Sequence, residues 1–292
     1  MANFISLKEL FNAFDAFIID QWGVLHNGKV LYDGVKEFFE LARDMGKPIV
    51  ILSNSGKPSQ INAERIAKLG IDQTMYSFFM TSGEAVSEYL SKESAYKSCY
   101  LMSRGGDKSI LAKNPSISCV DTVEKADFVL LSGLDMHDNN LESFRPFLEK
   151  LLEHNIPMVC ANPDKVAIAE EGEFYVAAGA VAEMYRDMGG RVTFFGKPYA
   201  EIYDYCFPYF DNIDREKILM IGDSLHHDIL GGQRAGVQTL LIGEGLLSKE
   251  LDIKKGNVSL SIESQLERVH EISTQEGISP DYYRPFLGKD MG

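Results

Sequence analysis

From Phe14 to Asp20 the chain is almost continuously apolar and then breaks on an acid, which is the pattern of a strand covered on both faces in a parallel sheet. The following stretch, YDGVKEFFELARDMGK, places Val35, Phe38, Phe39, Ala42 and Met45 on one helical face and stops at Gly46. A second strand, PIVILSNS, ends in small polar residues, and SQINAERIAKLG makes another amphipathic helix closed by Gly70. Strand and helix alternate with polar residues at the strand exits. That predicts an α/β fold with a doubly wound parallel sheet, whose ligand lies beyond the carboxyl ends of the strands.

Past TSGEAVSEYLSK the strands lose their acid tips. SCYLMSRGG, ADFVLLSGLD and IPMVCANPD read as strands, with NLESFRPFLEKLLEHN as a helix among them. Acid-tipped ends return in REKILMIGDSLHHDILGGQRAGVQTLLIG, which reads as strand, acidic loop, helix, glycine and strand. The chain therefore divides into a core domain of residues 1–81 and 189–292 and an inserted α/β domain of residues 82–188. Met102, Met136 and Met184 stand beside aromatics as core of the insert, and His137 and His154 as surface or capping residues. IESQLERVHEI predicts a docking helix, and the tail SPDYYRPFLGKDMG carries no readable pattern.

A chain of 292 residues with 45% hydrophobic content can bury a substantial core. The net charge of −14 and the lack of any Lys/Arg run argue against nucleic acid or an anionic membrane as partner. No secretory signal is apparent at the start, and no apolar run reaches membrane-spanning length. Cys99, Cys119, Cys160 and Cys206 are scattered in apolar surroundings without CxxC spacing, which reads as buried thiols in a reducing compartment. The expectation is a cytoplasmic protein.

Four strand-end segments carry candidate chemistry: Asp20; Ser53 and Asn54 in ILSNS; Lys197 in FFGKPYAE; and Asp223 with Asp228 in IGDSLHHD. Each alone is more often a turn, a helix cap or a surface loop than a functional group. Together they suit phosphoryl transfer. Two carboxylates from separate strands offer hard oxygen ligands to Mg²⁺. Ser53 Oγ and the Asn54 N–H can bond phosphate oxygens, and Lys197 can neutralise charge that grows in the transition state. Asp20 is then placed to attack phosphorus. His226 and His227 stand as loop residues, because the oxygen-rich set around them favours Mg²⁺ over a transition metal.

The set resembles the haloacid dehalogenase (HAD) superfamily of phosphatases through IIDQWGVL, ILSNS, FGKP and GDSLHHD, in that order. GVLHNG, CANPD, FFGKPYAEIY and GDSLHHDILGGQRAG are similar to its class IIA branch of NagD-like sugar and nucleotide phosphatases, over nearly the whole chain up to about Gly245. The resemblance implies a Rossmann-like HAD core with an inserted C2A-type cap that pairs subunits into a homodimer. It also implies Asp20 as nucleophile and metal ligand, the backbone carbonyl of Trp22 and Asp223 as further ligands, and Asp228 orienting the metal's waters or Lys197. Asn162 and Asp164 in CANPD stand as substrate contacts or as a strand-end turn.

The chain departs from that pattern in two places. The family's glycine-rich cap signature is altered here to YVAAGAVAEMY, and Trp22 stands where its hydrolases usually carry a second Asp that protonates the leaving oxygen. An indole N–H cannot exchange its proton near neutral pH, so it can donate a hydrogen bond but cannot act as an acid. His26 offers either a replacement acid and phosphate contact or a turn histidine that faces solvent or bonds to backbone. The expected function is a Mg²⁺-dependent phosphatase of a small phosphorylated metabolite, such as a sugar phosphate, working through an aspartyl-phosphate. The alternative is a catalytically weak or inactive phosphate-ligand binding or regulatory protein of the same fold.

Overall fold

The apolar runs become strands of two sheets, one in each of two units. The computed structural model describes residues 2–135, 140–168, 174–254 and 256–289; Met136 and His137 lie outside the described residues. One unit takes residues 1–53, 62–80 and 197–292, and the other takes 54–61 and 81–196.

In chain order the first unit opens with β1 (Asn3–Phe4), α1 (Leu7–Ala13), β2 (Ala16–Asp20), α2 (Val35–Asp44), β3 (Ile49–Ser53), α3 (Ser59–Ala67) and β4 (Phe78–Thr81). Then come α4 (Ser82–Lys92), β5 (Ser98–Met102), β6 (Ser118–Val120), β7 (Phe128–Leu131), α5 (Arg145–Glu153), β8 (Met158–Cys160), β9 (Val166–Ile168), β10 (Phe174–Val176), α6 (Ala178–Asp187) and β11 (Val192–Phe194). The chain returns with α7 (Glu201–Asp204), β12 (Ile218–Gly222), α8 (Leu230–Ala235), β13 (Gln238–Ile242), β14 (Ile253–Lys254), β15 (Asn257–Val258), α9 (Ile262–Glu276) and β16 (Tyr282–Arg284). The second unit runs past 188 to Gly196 because β11 pairs in parallel with β8 as a strand of its sheet.

The first unit's sheet has the order β1-β16-β13-β12-β2-β3-β4. Its central strands β2, β3 and β12 are buried at every position, which is why their sequences are continuous rather than alternating. Ser6 and Glu9 close a reciprocal capping box on α1. The core beneath the sheet centres on three rings: Phe11, Phe17 and Phe38 lie 5.0–5.3 Å apart, centroid to centroid, in tilted or edge-on pairs. Val35, Phe38, Phe39 and Ala42 are buried as the helical spacing predicts, but Met45 is 47% exposed, because α2 stops at Asp44 and Met45 caps its end.

The second unit's sheet has the order β11-β8-β7-β5-β6. Met184 is buried in the core of this unit and Met102 packs against it, while His154 is exposed at the end of α5. Cys99, Cys160 and Cys206 are buried, whereas Cys119 is exposed. Cys119 pairs with Cys99 across β5 and β6, and β6 is the edge strand, so an apolar neighbourhood in sequence did not translate into cover. Burial first, and then the Cys119 thiol, push Cys99 up to about 12.

The tail without a readable pattern supplies β16. Arg284 in that strand is 1% exposed and donates to the carbonyls of Ile5 (2.7 Å), Phe286 (3.1 Å) and Lys289 (3.1 Å). Among the described residues, no helix is long and apolar enough to cross a membrane.

Truncating Phe38 to Ala removes the ring shared by two of the three aromatic contacts. The expected loss is about 3–5 kcal/mol of unfolding free energy, measured by urea titration.

Candidate active site

Register brings the acids together. In the parallel ladders Asp20 faces Leu52 of β3 and Ile19 faces Ile221 of β12. Asp20, Ser53 and Asp223 therefore sit at the same carboxyl edge of three adjacent strands, which neighbour each other at about 4.8 Å. Asp223 follows β12 directly and is 4% exposed; Ser53 closes β3 and is also 4% exposed.

Lys197 ties this edge together. Its ammonium donates to Asp20 Oδ1, and to Asp228 Oδ1 at 2.7 Å, with the lysine 2% exposed. Asp228 lies in the wide turn Leu225–Ile229 and takes the Ser224 N–H on its other oxygen at 3.0 Å. Gly222 makes room for it, since a Cβ there would overlap the Asp228 carboxyl group. Asp223 is wedged likewise: a Cβ on Gly23 or Gly245 would strike its carboxylate, and it accepts the Leu246 N–H at 2.9 Å.

Ligand oxygens of Asp20, Asp223 and Asp228 all lie within 4.8 Å of one another. Three carboxylates against one ammonium leave two negative charges in a buried space. Burial, opposed by Lys197, raises Asp20 from 3.8 to about 7, and burial followed by the charges of Asp20 and Asp228 raises Asp223 well above its ordinary value. Burial pulls Lys197 down, but the Asp20 and Asp228 carboxylates hold it above the usual lysine range. One divalent cation offsets the excess charge, and an all-oxygen donor set suits a hard ion such as Mg²⁺. His226 is exposed and His227 half-buried, and neither is part of the acidic cluster.

Trp22 is 44% exposed. Its ring lies against Gly28, whose φ is +92° and whose absent Cβ would collide with the six-membered ring. The Arg65 guanidinium of α3 sits 4.7 Å above the indole, and the His26 ring meets it edge-on at 4.8 Å. His26 itself is fully buried. Its Nδ1 accepts the Gly28 N–H at 2.9 Å, so the ring proton sits on Nε2, which faces the Gln21 amide at 3.1 Å. Gln21 Oε1, otherwise without a partner among the described residues, is the amide atom that would accept that proton. Burial first, and then Arg65, lower His26 to about 4. Both nitrogens are engaged inside the loop, so the ring offers no proton to a leaving group and no free nitrogen to a phosphate. It holds the turn.

Asn54, Asn162 and Asp164 belong to the second unit. There Asn54 Nδ2 donates to Asp164 Oδ1 at 2.8 Å, and Asn162 Oδ1 accepts the Asp164 N–H at 3.0 Å. A Cβ on Gly196 would meet Asn54 Oδ1 and Pro163, so the two chain entries of that unit close on the CANPD turn. Sequence reasoning missed Tyr203, Arg65 and Gln21. Tyr203 is fully buried, its hydroxyl has no hydrogen-bond partner among the described residues, and burial and then Asp228 hold its phenol well above the usual value. No spacing rule connects Tyr203 or Arg65 to Asp20, and Gln21, though it follows Asp20 directly, carries no motif signal of its own.

The haloacid dehalogenase-like hydrolase family matches residues 17–114, and the HAD-hydrolase-like family matches residues 194–260. Phosphoglycolate phosphatase 2 of Arabidopsis thaliana is 27% identical over 272 residues, covering 86% of this chain and 90% of that one. Ribonucleotide monophosphatase NagD of Escherichia coli K12 is 28% identical over 235 residues, covering 79% and 88%. Among solved structures, a possible sugar phosphatase of the HAD superfamily from Cytophaga hutchinsonii superposes with a TM-score of 0.78 at 21% identity, covering 100% of both chains. A haloacid dehalogenase-like hydrolase from Brucella suis gives 0.77 at 24% identity, covering 98% and 100%. The structural matches establish the α/β fold.

In metal-free protein the folded state holds the Asp20 proton more tightly than the unfolded chain does. Stability is therefore expected to fall as pH rises from about 4 to about 7. Asp20→Asn makes that part of the profile shallower, the share of Asp223 remaining, as read from urea melts in EDTA.

Proposed function

The chain belongs to the haloacid dehalogenase-like hydrolases, in their NagD-like class IIA branch, and from that premise we propose that it is a Mg²⁺-dependent phosphatase of a small phosphorylated metabolite. The observation that carries this reading is the cluster of three strand-end and loop carboxylates, two of them bridged by Lys197. Relatives named as phosphoglycolate, sugar and nucleotide phosphatases support the same class of chemistry.

Asp20, the Trp22 carbonyl and Asp223 would hold the cation, with Asp228 fixing Lys197 beside it. When bound, the cation would neutralise the carboxylates and polarise a phosphate oxygen, which lets an anion approach Asp20. The free oxygen of Asp20 attacks phosphorus, and the ester oxygen leaves with the bonding pair. Lys197 balances charge on the transferring phosphoryl group, while Ser53 Oγ and the Asn54 N–H bond its oxygens. Water then hydrolyses the aspartyl-phosphate. Asn162 and Asp164 are proposed contacts to the remainder of the substrate.

Proton supply to the leaving oxygen is the step this loop lacks. Trp22 cannot give a proton, and His26 is neutral, buried and engaged. Such help typically contributes about 10²- to 10⁴-fold, so its loss raises the barrier by roughly 3–5.5 kcal/mol for a poor leaving group. Aryl, acyl and anhydride phosphates lose least. We therefore place the substrate among phosphates whose leaving group departs as a stable anion. Trp22 also supports a second reading, a phosphate-ligand binding protein that has lost turnover; tight Mg²⁺-dependent ester binding without hydrolysis would establish it instead.

Para-nitrophenyl phosphate with Mg²⁺ should release phosphate, and Asp20→Asn should abolish release. Across a panel ordered by leaving-group pKa, Trp22→Asp should accelerate alkyl esters more than aryl esters. Equal acceleration would show that the missing acid is not limiting, and no turnover by the wild type anywhere on the panel would overturn the hydrolase reading.

Trp22 is the chain's single tryptophan, so its emission reports on the metal loop. Adding Mg²⁺ to EDTA-treated protein should change the emission, and Asp223→Asn should remove the response.

A further inference from the structure

The second unit's sheet runs β6-β5-β7-β8-β11 across space, with every neighbouring pair parallel. In chain order these are its second, first, third, fourth and fifth main strands. The chain thus leaves β5 toward one side and then crosses to the other, which makes the β5/β7 junction a topological switch point. In open parallel sheets ligands bind outside the carboxyl ends of the two strands at such a junction. The first unit obeys that rule: β2 and β12 flank its own switch point and carry Asp20 and Asp223 at their ends.

A cavity of ≈ 40 Å³ opens at the corresponding place in the second unit. Ser103, Arg104 and Asp107 reach it from just beyond β5, Ser132 from just beyond β7, and Gly56 and Lys57 from the segment that enters the unit. Ser103 Oγ is buried and has no hydrogen-bond partner among the described residues, and buried hydroxyls in folded proteins rarely stay unpaired. Lys57 and Arg104 line the cavity with one carboxylate, that of Asp107, and the Asp135 carboxylate accepts the N–H of Gly105, next to Arg104, at 2.7 Å. Asp107 is held below its ordinary range, first by the Ser109 N–H, and pairs with Lys57 at 3.6 Å. Arg104 has no ion pair among the described residues, and its guanidinium is a forked donor suited to oxyanions. Gly56 lies flush against the Ser132 carbonyl, where a Cβ would collide. Gly105 and Gly106, at φ +61° and +69°, turn the chain away directly after Arg104.

We propose that this cavity binds a single oxyanion group, a carboxylate or a phosphate, through Ser103 Oγ, Arg104 and Lys57. Its volume suits one such group and falls well below the few hundred Å³ that a whole drug-sized ligand fills. The group is that of a free anion.

Selenate soaked into crystals of the full chain gives the direct test, because its anomalous signal locates the ion without any need for turnover. A peak between Ser103 and Arg104 that disappears in Arg104→Ala is the expected result. No peak there at concentrations that fill other sites, or a peak that persists in both Arg104→Ala and Lys57→Ala, overturns the proposal. Melting curves of both variants check folding. In solution, calorimetric titration of the full chain with sulfate should show binding that Arg104→Ala weakens by roughly tenfold or more; equal binding by wild type and variant overturns the proposal.

Discussion

Everything at the edge of the first unit's sheet answers to one electrostatic constraint: three carboxylates share a buried space with a single ammonium, Lys197. Isolated charges cannot be kept in such a place, so each is either paired or shifted toward neutrality. The arrangement does both, pairing Asp20 and Asp228 with Lys197 and lifting Asp20 and Asp223 above their ordinary values. A site under that strain has a standing affinity for a cation. The glycines around it follow, since Gly23, Gly222 and Gly245 each occupy a place where a Cβ would strike a carboxyl group of the cluster. Backbone has been brought close so that the acids can be held close.

Legibility in the sequence tracked how local the cause was. The strands β2, β3 and β12 were readable because burial on both faces leaves an unbroken apolar run. The convergence of Asp20, Ser53 and Asp223 was readable because parallel register makes the ends of neighbouring strands neighbours in space. Strand β16 was opaque: three residues in a tail rich in prolines and polar groups show no period, and its last residue, Arg284, is buried while bonding the carbonyl of Ile5, far away in the chain, besides two nearby carbonyls. Cys119 was misjudged because apolar company along the chain says nothing about whether a strand lies at the edge of its sheet. His26 was open between two roles, and what decided them was a contact with Gln21 and a hydrogen bond from Gly28, neither visible as a motif.

The two units repeat one architectural rule at different charge. Both sheets are doubly wound, and both place polar side chains where the winding reverses. In the first unit those side chains are predominantly acidic and the space is fitted to a cation; in the second, Lys57 and Arg104 outnumber Asp107. Parallel strands end with their carbonyl edge and following loops open to a ligand whatever the sign of its charge. The sign is set by loop residues alone, which is why similar folds accept unrelated ligands.

Trp22 shows how a loop can carry a bulky side chain without crowding the cluster beside it. An indole at this position brings no charge to a neighbourhood that already has a surplus of negative charge. The bulk of the ring is carried outward, over Gly28 and beneath the guanidinium of Arg65, rather than into the cluster. His26, braced by Gln21 and Gly28, closes the turn behind it. The backbone of Gly23 thereby stays against Asp223, while the indole cannot take part in proton transfer. The place of a backbone carbonyl depends on the path of the loop and proton donation on side-chain chemistry, so one loop can vary the second without moving the first.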